Sequence, residues 1–302
     1  MNLYLKHRPK KLEQVIGNKE TVSALQGMLE SQDCPQAFLF TGPKGNGKTT
    51  LARIVARRLG CKGQDLREMD SADFRGIDVI REIRKQSQYV PLEGKCRVWI
   101  MDEVHQLSKD AQSAMLKMLE DTPKNVYFIL CTTDPQKLLP TVRDRCSQFP
   151  LKPLTDIEMK KLLKRTVKAE EERLPKKAYQ QIIQDSFGHP RTALQILDQV
   201  LRVDWEKRIQ TAKKSAEEQS ESIALCRALI QGEGWKKVSG ILRGLKDQDA
   251  EAIRRHVLGY TQSVLLNEDN ERAGLVLEEF TEPFYDSGFP QLVYACYSVV
   301  KN

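Results

Sequence analysis

Residues 37–58 read AFLFTGPKGNGKTTLARIVARR: an apolar run, a glycine-rich turn and an amphipathic run in direct succession. Within it, Gly42-Pro43-Lys44-Gly45-Asn46-Gly47-Lys48-Thr49 matches G-x-x-x-x-G-K-[ST] in full. That pattern carries chemistry when a strand precedes it and a helix follows, and both contexts are present here. Glycines let backbone N–H groups turn inward around phosphates, and a helix N-terminus adds partial positive charge. Gly42, Pro43, Gly45, Asn46, Gly47, Lys48, Thr49 and Thr50 are therefore the expected nucleotide cradle. Lys48 is expected to reach the β and γ oxygens and Thr49 to hold Mg2+.

Outward from this loop, QAFLFTG, LREMD, CRVWIMDE and VYFILCTT alternate with amphipathic segments such as TTLARIVARRLG and KDAQSAMLKMLED. This is the rhythm of an α/β domain, and the connecting segments are long enough for crossovers between parallel strands. VWIMDE ends in Asp102 and Glu103. The first is suited to coordinate Mg2+ and the second to polarise water, which predicts hydrolysis rather than binding alone. Arg145 in VRDRC and Arg191 in GHPRTAL supply guanidinium donors of the kind that spread γ-phosphate charge.

From Thr155 onward no strand is predicted. TDIEMKKLLKRTVKAEE, PKKAYQQIIQDSFG and HPRTALQILDQVLRV form helices in this reading, with Thr155 and Glu158 as a capping box and Gly188 as a stop. WEKRIQTAKKSAEEQSESI is a polar linker or a solvated helix face. Beyond it, ALCRALIQGEGWKKVSGILRGL, DAEAIRRHVLGYTQSVLL and an aromatic-containing end predict a further all-helical domain.

The length of 302 residues exceeds what one core serves, so two or three domains are expected. With 40% hydrophobic and 29% charged residues the composition is that of a globular chain. No run approaches the apolar length of a membrane span. The start, MNLYLKHRPKKLEQ, lacks the apolar stretch of a secretory signal, so a cytoplasmic protein is expected. Cys34, Cys61, Cys96, Cys131, Cys146, Cys226 and Cys296 include no C-x-x-C pair, which predicts free thiols and neither disulfides nor a structural zinc. A net charge of +7 fits a polyanion-binding protein but does not by itself identify one.

The ordered series LKHRPKKLEQVIGNKE, GPKGNGKTT, DSADFRGIDVIREI, MDEVHQLSKDAQSAMLKMLEDTP and FILCTTDPQKLLPTVRDRC resembles the clamp-loader branch of the AAA+ ATPases. Its members include the bacterial DNA polymerase III gamma/tau subunits and the small subunits of replication factor C. The match spans the first two hundred residues or so. It implies an AAA+ core with a parallel sheet over residues 1–153, a three-helix lid over 154–205 and a helical collar that oligomerises over 206–302. It also implies ATP and Mg2+ as ligands, adenine contacts near Val15 and Ile16, and Thr49 and Asp102 on the metal. Further, it implies Thr133 as sensor 1, Arg191 as sensor 2, and Arg145 as a finger reaching a neighbouring subunit. The expected activity is ATP hydrolysis by a motor subunit that loads a sliding clamp onto primer-template DNA within a pentameric ring. Arg75, Arg81 and Lys109 resemble positions that face the DNA backbone. A branch-migration or helicase motor and a nucleotide-binding scaffold without hydrolysis are the alternatives.

The sequence departs from the pattern in four places. His7 stands where an aromatic is usual, and Asp144-Arg145-Cys146 replaces Ser-Arg-Cys. Only Cys61 remains where gamma/tau subunits carry a zinc-binding cysteine cluster. The chain also stops soon after the expected collar, which fits a minimal version, such as a viral one, without a polymerase- or helicase-binding tail.

Overall fold

Near-continuous apolar runs dictate the centre of the molecule. The computed structural model describes residues 2–31, 33–71, 75–212, 221–267, 269–284 and 287–301. Its strands are β1 (Ala37–Thr41), β2 (Leu66–Asp70), β3 (Arg97–Asp102), β4 (Val126–Thr132) and β5 (Ser147–Pro150). They form one five-stranded sheet in the order β2-β3-β4-β1-β5, with every pair parallel. β1, β3 and β4 are buried along nearly their whole length, as strands covered on both faces must be. β2 is an edge strand, and its Arg67 and Glu68 are exposed. β5, at the opposite edge, is a strand that the sequence pattern did not reveal. It is only four residues long, and it tolerates Pro150 because an edge strand need not donate from every N–H.

Residues two apart in a strand share a face, and this builds two cores. Phe38, Phe40, Val98, Ile100 and Cys131 pack with Leu51, Ile54 and Val55 of α3 (Lys48–Arg58) and with Leu25 of α2 (Lys19–Glu30). Leu39, Met101, Phe128 and Leu130 pack on the other face against α4 (Ile77–Gln86) and α5 (Lys109–Glu120). The short helices α1 (Leu3–Lys6) and α6 (Pro140–Asp144) precede this layer and lead into β5.

Contacts divide the chain into two compact units. One comprises Tyr4–Glu158 with His189–Arg191, the other Met1–Leu3, Met159–Gly188 and Thr192–Asn302. Among the described residues no strand occurs after Pro150. The helices there are α7 (Asp156–Ala169), α8 (Lys176–Ser186), α9 (Pro190–Leu201), α10 (Glu221–Ile230), α11 (Trp235–Gly244), α12 (Ala250–Asn267), α13 (Glu271–Glu279) and α14 (Gly288–Lys301). The capping box forms, Glu158 N–H donating to Thr155 Oγ1 at 3.3 Å and Thr155 N–H to Glu158 Oε2 at 3.0 Å. In the second unit a buried ion pair joins Asp185 of α8 to Arg227 of α10.

The polar stretch over residues 205–223 is not all linker. Residues 213–220 lie outside those described, but Trp205–Lys207 forms a 3-10 turn and Ala212 is buried. Arg208 is buried too, donating to Val203 O at 3.2 Å and to Glu172 Oε2 at 2.9 Å. These acceptors satisfy the buried guanidinium, so a charged residue marks packed structure rather than a solvated face.

Asp65 supplies a stability test. Its fully buried carboxylate accepts N–H groups from Leu92, Glu93 and Gly94, each at 2.7 Å, with Arg97 Nη2 3.7 Å away. Burial pushes the carboxyl up, but the three N–H donors and Arg97 outweigh it and hold it below its ordinary value. A depressed native pKa stabilises the fold above the unfolded value of about 3.9, and that contribution fades as pH falls through the native one. Asp65→Asn removes the charge and one acceptor, and is expected to cost about 3 kcal/mol at neutral pH. Urea melts should show the deficit at pH 7 and a smaller gap between variant and parent as the solution is acidified.

Candidate nucleotide site

The register brings the loop and the acids to the carboxyl end of the sheet. Thr41 pairs with Thr132 and Met101 with Leu130, so β1, β3 and β4 end together. β1 leaves between β4 and β5, where the strand order reverses, and open α/β sheets bind ligands beyond the carboxyl ends of strands at such a point.

The glycine loop has the shape that its sequence demands. Gly42, Gly45 and Gly47 all adopt positive φ, at 136°, 85° and 94°. A Cβ on Gly42 would lie 2.2 Å from the Leu151 carbonyl oxygen, so no larger residue fits that turn. Gly47 caps α3, leaving the first N–H groups of that helix directed back toward the loop. Asn46 is buried, and among the described residues its Nδ2 has no partner. Such a buried donor at a helix N-terminus suits an anionic oxygen. Lys48 Nζ donates to Gly42 O at 2.7 Å and Pro43 O at 3.2 Å. Burial lowers its pKa, while Glu103, Cys131 and Asp102 oppose that effect.

Thr49 Oγ1 donates to Asp102 Oδ2 at 2.7 Å, and Asp102 Oδ1 accepts the Glu103 N–H at 3.0 Å. A hydroxyl and a carboxylate side by side are hard oxygen donors, and Mg2+ sites use one or two such protein ligands with phosphates and water. The residues therefore fit that ion. Among the described residues there is no cluster of three metal-ligating side chains.

Glu103 adopts φ 47° and ψ 42°, the left-handed region, which a glutamate rarely enters. Strain of this kind persists where surrounding contacts over-determine it. Here Thr133 Oγ1 donates to Glu103 Oε2 at 3.0 Å. Arg191 arrives from the start of α9, close enough that a Cβ on Gly45 would lie 3.3 Å from its own Cβ. The structure thus gathers Gly42, Gly45, Asn46, Gly47, Lys48, Thr49, Thr50, Asp102, Glu103, Thr133 and Arg191 at that end.

Val15 and Ile16 are half-buried, and Val15 packs against the core face that holds α3. Arg145 lies two residues before Ser147, which pairs with Phe38 at the start of β1, whereas Thr41 at its end pairs with Pro150. Strand rise of about 3.3 Å per residue therefore puts Arg145 at the opposite end of β1 from the glycine loop. It is exposed, donating to Thr141 O at 3.0 Å and pairing with Glu120 of α5. Its ionic partner is thus Glu120, not its neighbour Asp144. Arg75, Arg81 and Lys109 are all exposed; Arg75 O accepts the Ser108 N–H at 3.0 Å, and Arg81 pairs with Asp78 at 3.0 Å.

Several neighbours of the site escaped sequence reasoning. Arg8 Nε donates to Thr50 Oγ1 at 2.9 Å, His189 Nδ1 lies 2.8 Å from Asn46 Oδ1, and His105 Nδ1 lies 2.9 Å from Thr132 Oγ1. His105, next but one to Glu103, and His189, next but one to Arg191, carried a local signal.

Comparison with known proteins places this geometry. A family model described as DNA polymerase III, delta subunit matches residues 64–155. The DNA polymerase III subunit gamma/tau of Mycobacterium bovis is 34% identical over 224 residues, which is 67% of this chain and 39% of that protein. The tau subunit of Escherichia coli is 31% identical over 290 residues, 86% of this chain and 44% of its own length. The chain belongs to the AAA+ clamp-loader family. It spans less than half the length of these two relatives. A solved structure of RuvB from Thermotoga maritima superposes with a TM-score of 0.65 at 20% identity, over 85% of this chain and 91% of that one. That likeness shows the fold: an AAA+ P-loop core with a parallel sheet, followed by helices. All seven cysteines of this clamp-loader chain are free, and Cys61, at the position expected of a zinc module, is packed in the core with Cys96.

Proposed function

We propose that this chain is an ATP-hydrolysing motor subunit of a sliding-clamp loader, which opens a processivity clamp and places it on primer-template DNA. The observation that carries the reading is the convergence of Lys48, the Thr49–Asp102 pair, Glu103 with Thr133, and Arg191 at the carboxyl end of the sheet. The names of the gamma/tau relatives supply the clamp-loader context.

In this reading the loop N–H groups and Lys48 grip the β and γ phosphates, and Val15 and Ile16 lie by the adenine. Thr49 and Asp102 would hold Mg2+, which would supply charge neutralisation on the phosphate oxygens. Glu103 orients and deprotonates the attacking water, Thr133 and Arg191 report on the γ-phosphate, and Arg145 completes a neighbouring subunit's site. Residues 1–153, 154–205 and 206–302 serve as core, lid and collar. Arg75, Arg81 and Lys109 touch the DNA backbone, which needs no base readout. The assembly is a pentameric ring with companion subunits, acting in the cytoplasm.

The test is a steady-state ATPase assay of the chain with companion subunits, clamp and primed DNA. Stimulation by clamp and DNA together supports the reading, whereas translocation on duplex without any clamp would instead favour a branch-migration motor. Arg145→Ala is expected to cut the ATPase of the assembled ring by about 10³-fold, the lower end of what arginine fingers contribute. Its own nucleotide affinity should not change. If the variant lost ATP affinity as an isolated chain, action on a neighbour's site would be ruled out.

A further inference from the structure

We propose that His105 is a positioning residue for Glu103: its Nδ1–H and the Thr133 hydroxyl together hold Oε2 of the carboxylate, which turns Oε1 toward the attacking water. The inference rests on the ATP-hydrolysing reading above and names a residue that reading does not use.

The geometry begins with the 3-10 turn Val104–Gln106, which follows Glu103 directly and folds the His105 ring back over it. Only 9% of the His105 side chain is exposed. Nδ1 stands 2.9 Å from Thr132 Oγ1 and 3.4 Å from Glu103 Oε2. Thr133 Oγ1 donates to that same Oε2 at 3.0 Å. Both neighbours therefore address one carboxylate oxygen, and among the described residues no hydrogen bond is made to Oε1.

The proton on the ring is decided by its far side. Gln106 Nε2 lies 3.2 Å from His105 Nε2. With the Gln106 NH2 turned toward it, Nε2 accepts and the ring proton sits on Nδ1. Nδ1–H then donates to Thr132 Oγ1, which also accepts the Asp134 N–H at 3.0 Å, and faces Glu103 Oε2 across a longer polar contact. The turn, the ring and the end of β4 thereby brace Glu103 in its left-handed conformation.

A second argument concerns Thr133. A hydroxyl has one proton, and a γ-phosphate oxygen competes with Glu103 for it. Once Thr133 turns to phosphate, His105 is the donor that still fixes the carboxylate. Sensing and water activation then do not share a single hydrogen.

The first test reads the tautomer directly. In 15N-histidine NMR of the full chain, which has four histidines, the His105 signals are assigned by their loss in His105→Asn. A protonated Nδ1 is expected; a neutral ring with its proton on Nε2 overturns the proposal. The second test is kinetic, on the chain assembled with its companion subunits. His105→Ala should lower kcat about 10- to 100-fold, the range in which partners that orient a functional group contribute, with ATP affinity unchanged. His105→Asn, whose amide N–H approximates the position of Nδ1, should recover most of the loss. Equal rates for the Ala and Asn variants, whether both normal or both impaired, overturn it. A parent assembly no faster than Glu103→Gln sinks the ATPase reading and this inference together. A fast parent with an unaffected His105→Ala sinks the inference alone.

Discussion

Lys48→Ala is expected to weaken binding of Mg2+ and a non-hydrolysable ATP analogue by at least about 30-fold and up to several thousandfold, the span of losing one partner of a desolvated charge pair. The ammonium is largely buried at the mouth of the glycine loop, and burial, with a smaller push from Arg191, depresses its pKa. A buried charge persists only with compensation. Its compensation is two loop carbonyls, Gly42 O and Pro43 O, with Asp102 and Glu103 nearby. Neutral hydrogen bonds to carbonyls contribute about 1 kcal/mol each, too little to explain placing a cation there for stability alone. A phosphate chain brings several negative charges to the same point, and charge-assisted bonds to it are about twice as strong. The rival possibility is that Lys48 merely pins the loop. Calorimetry paired with a thermal melt separates the two. A large loss of affinity with a small change in Tm supports the phosphate role, while a fall in Tm with near-normal affinity would eliminate it.

What the sequence disclosed follows from how local each signal was. The strand–loop–helix unit around Gly42 to Thr49 was legible because strand burial, glycine conformation and helix periodicity all speak within about a dozen residues. The acids ending β3 were legible for the same reason, and so was the Thr155–Glu158 box. β5 was not, because four residues at a sheet edge carry neither an apolar run nor a turn signal. Glu120 could not be named as the partner of Arg145, since the pair is 25 residues apart and joins α5 to the turn after α6. Arg208 looked like surface charge until its burial and its acceptors were visible, and Asp65 gave no hint of the three N–H groups that surround it. Long-range polar satisfaction is a property of the folded contacts, and periodicity carries no trace of it.

Glu103→Gln is the sharpest test of the chemistry. Turnover is expected to fall by about 10²- to 10⁴-fold, the contribution of a positioned proton acceptor, while ATP affinity stays within about twofold. The glutamine has nearly the same shape and can occupy the same left-handed backbone, so the strain at φ 47° is kept rather than relieved. Its carbonyl oxygen can still accept from Thr133, but its amide cannot take a proton from water. Binding and hydrolysis are thereby uncoupled by one atom. In an assembled ring the variant should hold clamp and primed DNA in the presence of ATP and fail to release them, since nothing converts the nucleotide. Release can be followed by the loss of fluorescence energy transfer between labelled clamp and subunit after rapid mixing. Two outcomes are incompatible with Glu103 as the group that activates water: turnover that survives the substitution, or release at the parent's rate. The first would shift that role to another acceptor at the ends of β3 and β4. The second would show that ATP binding, rather than its cleavage, sets the state of the ring.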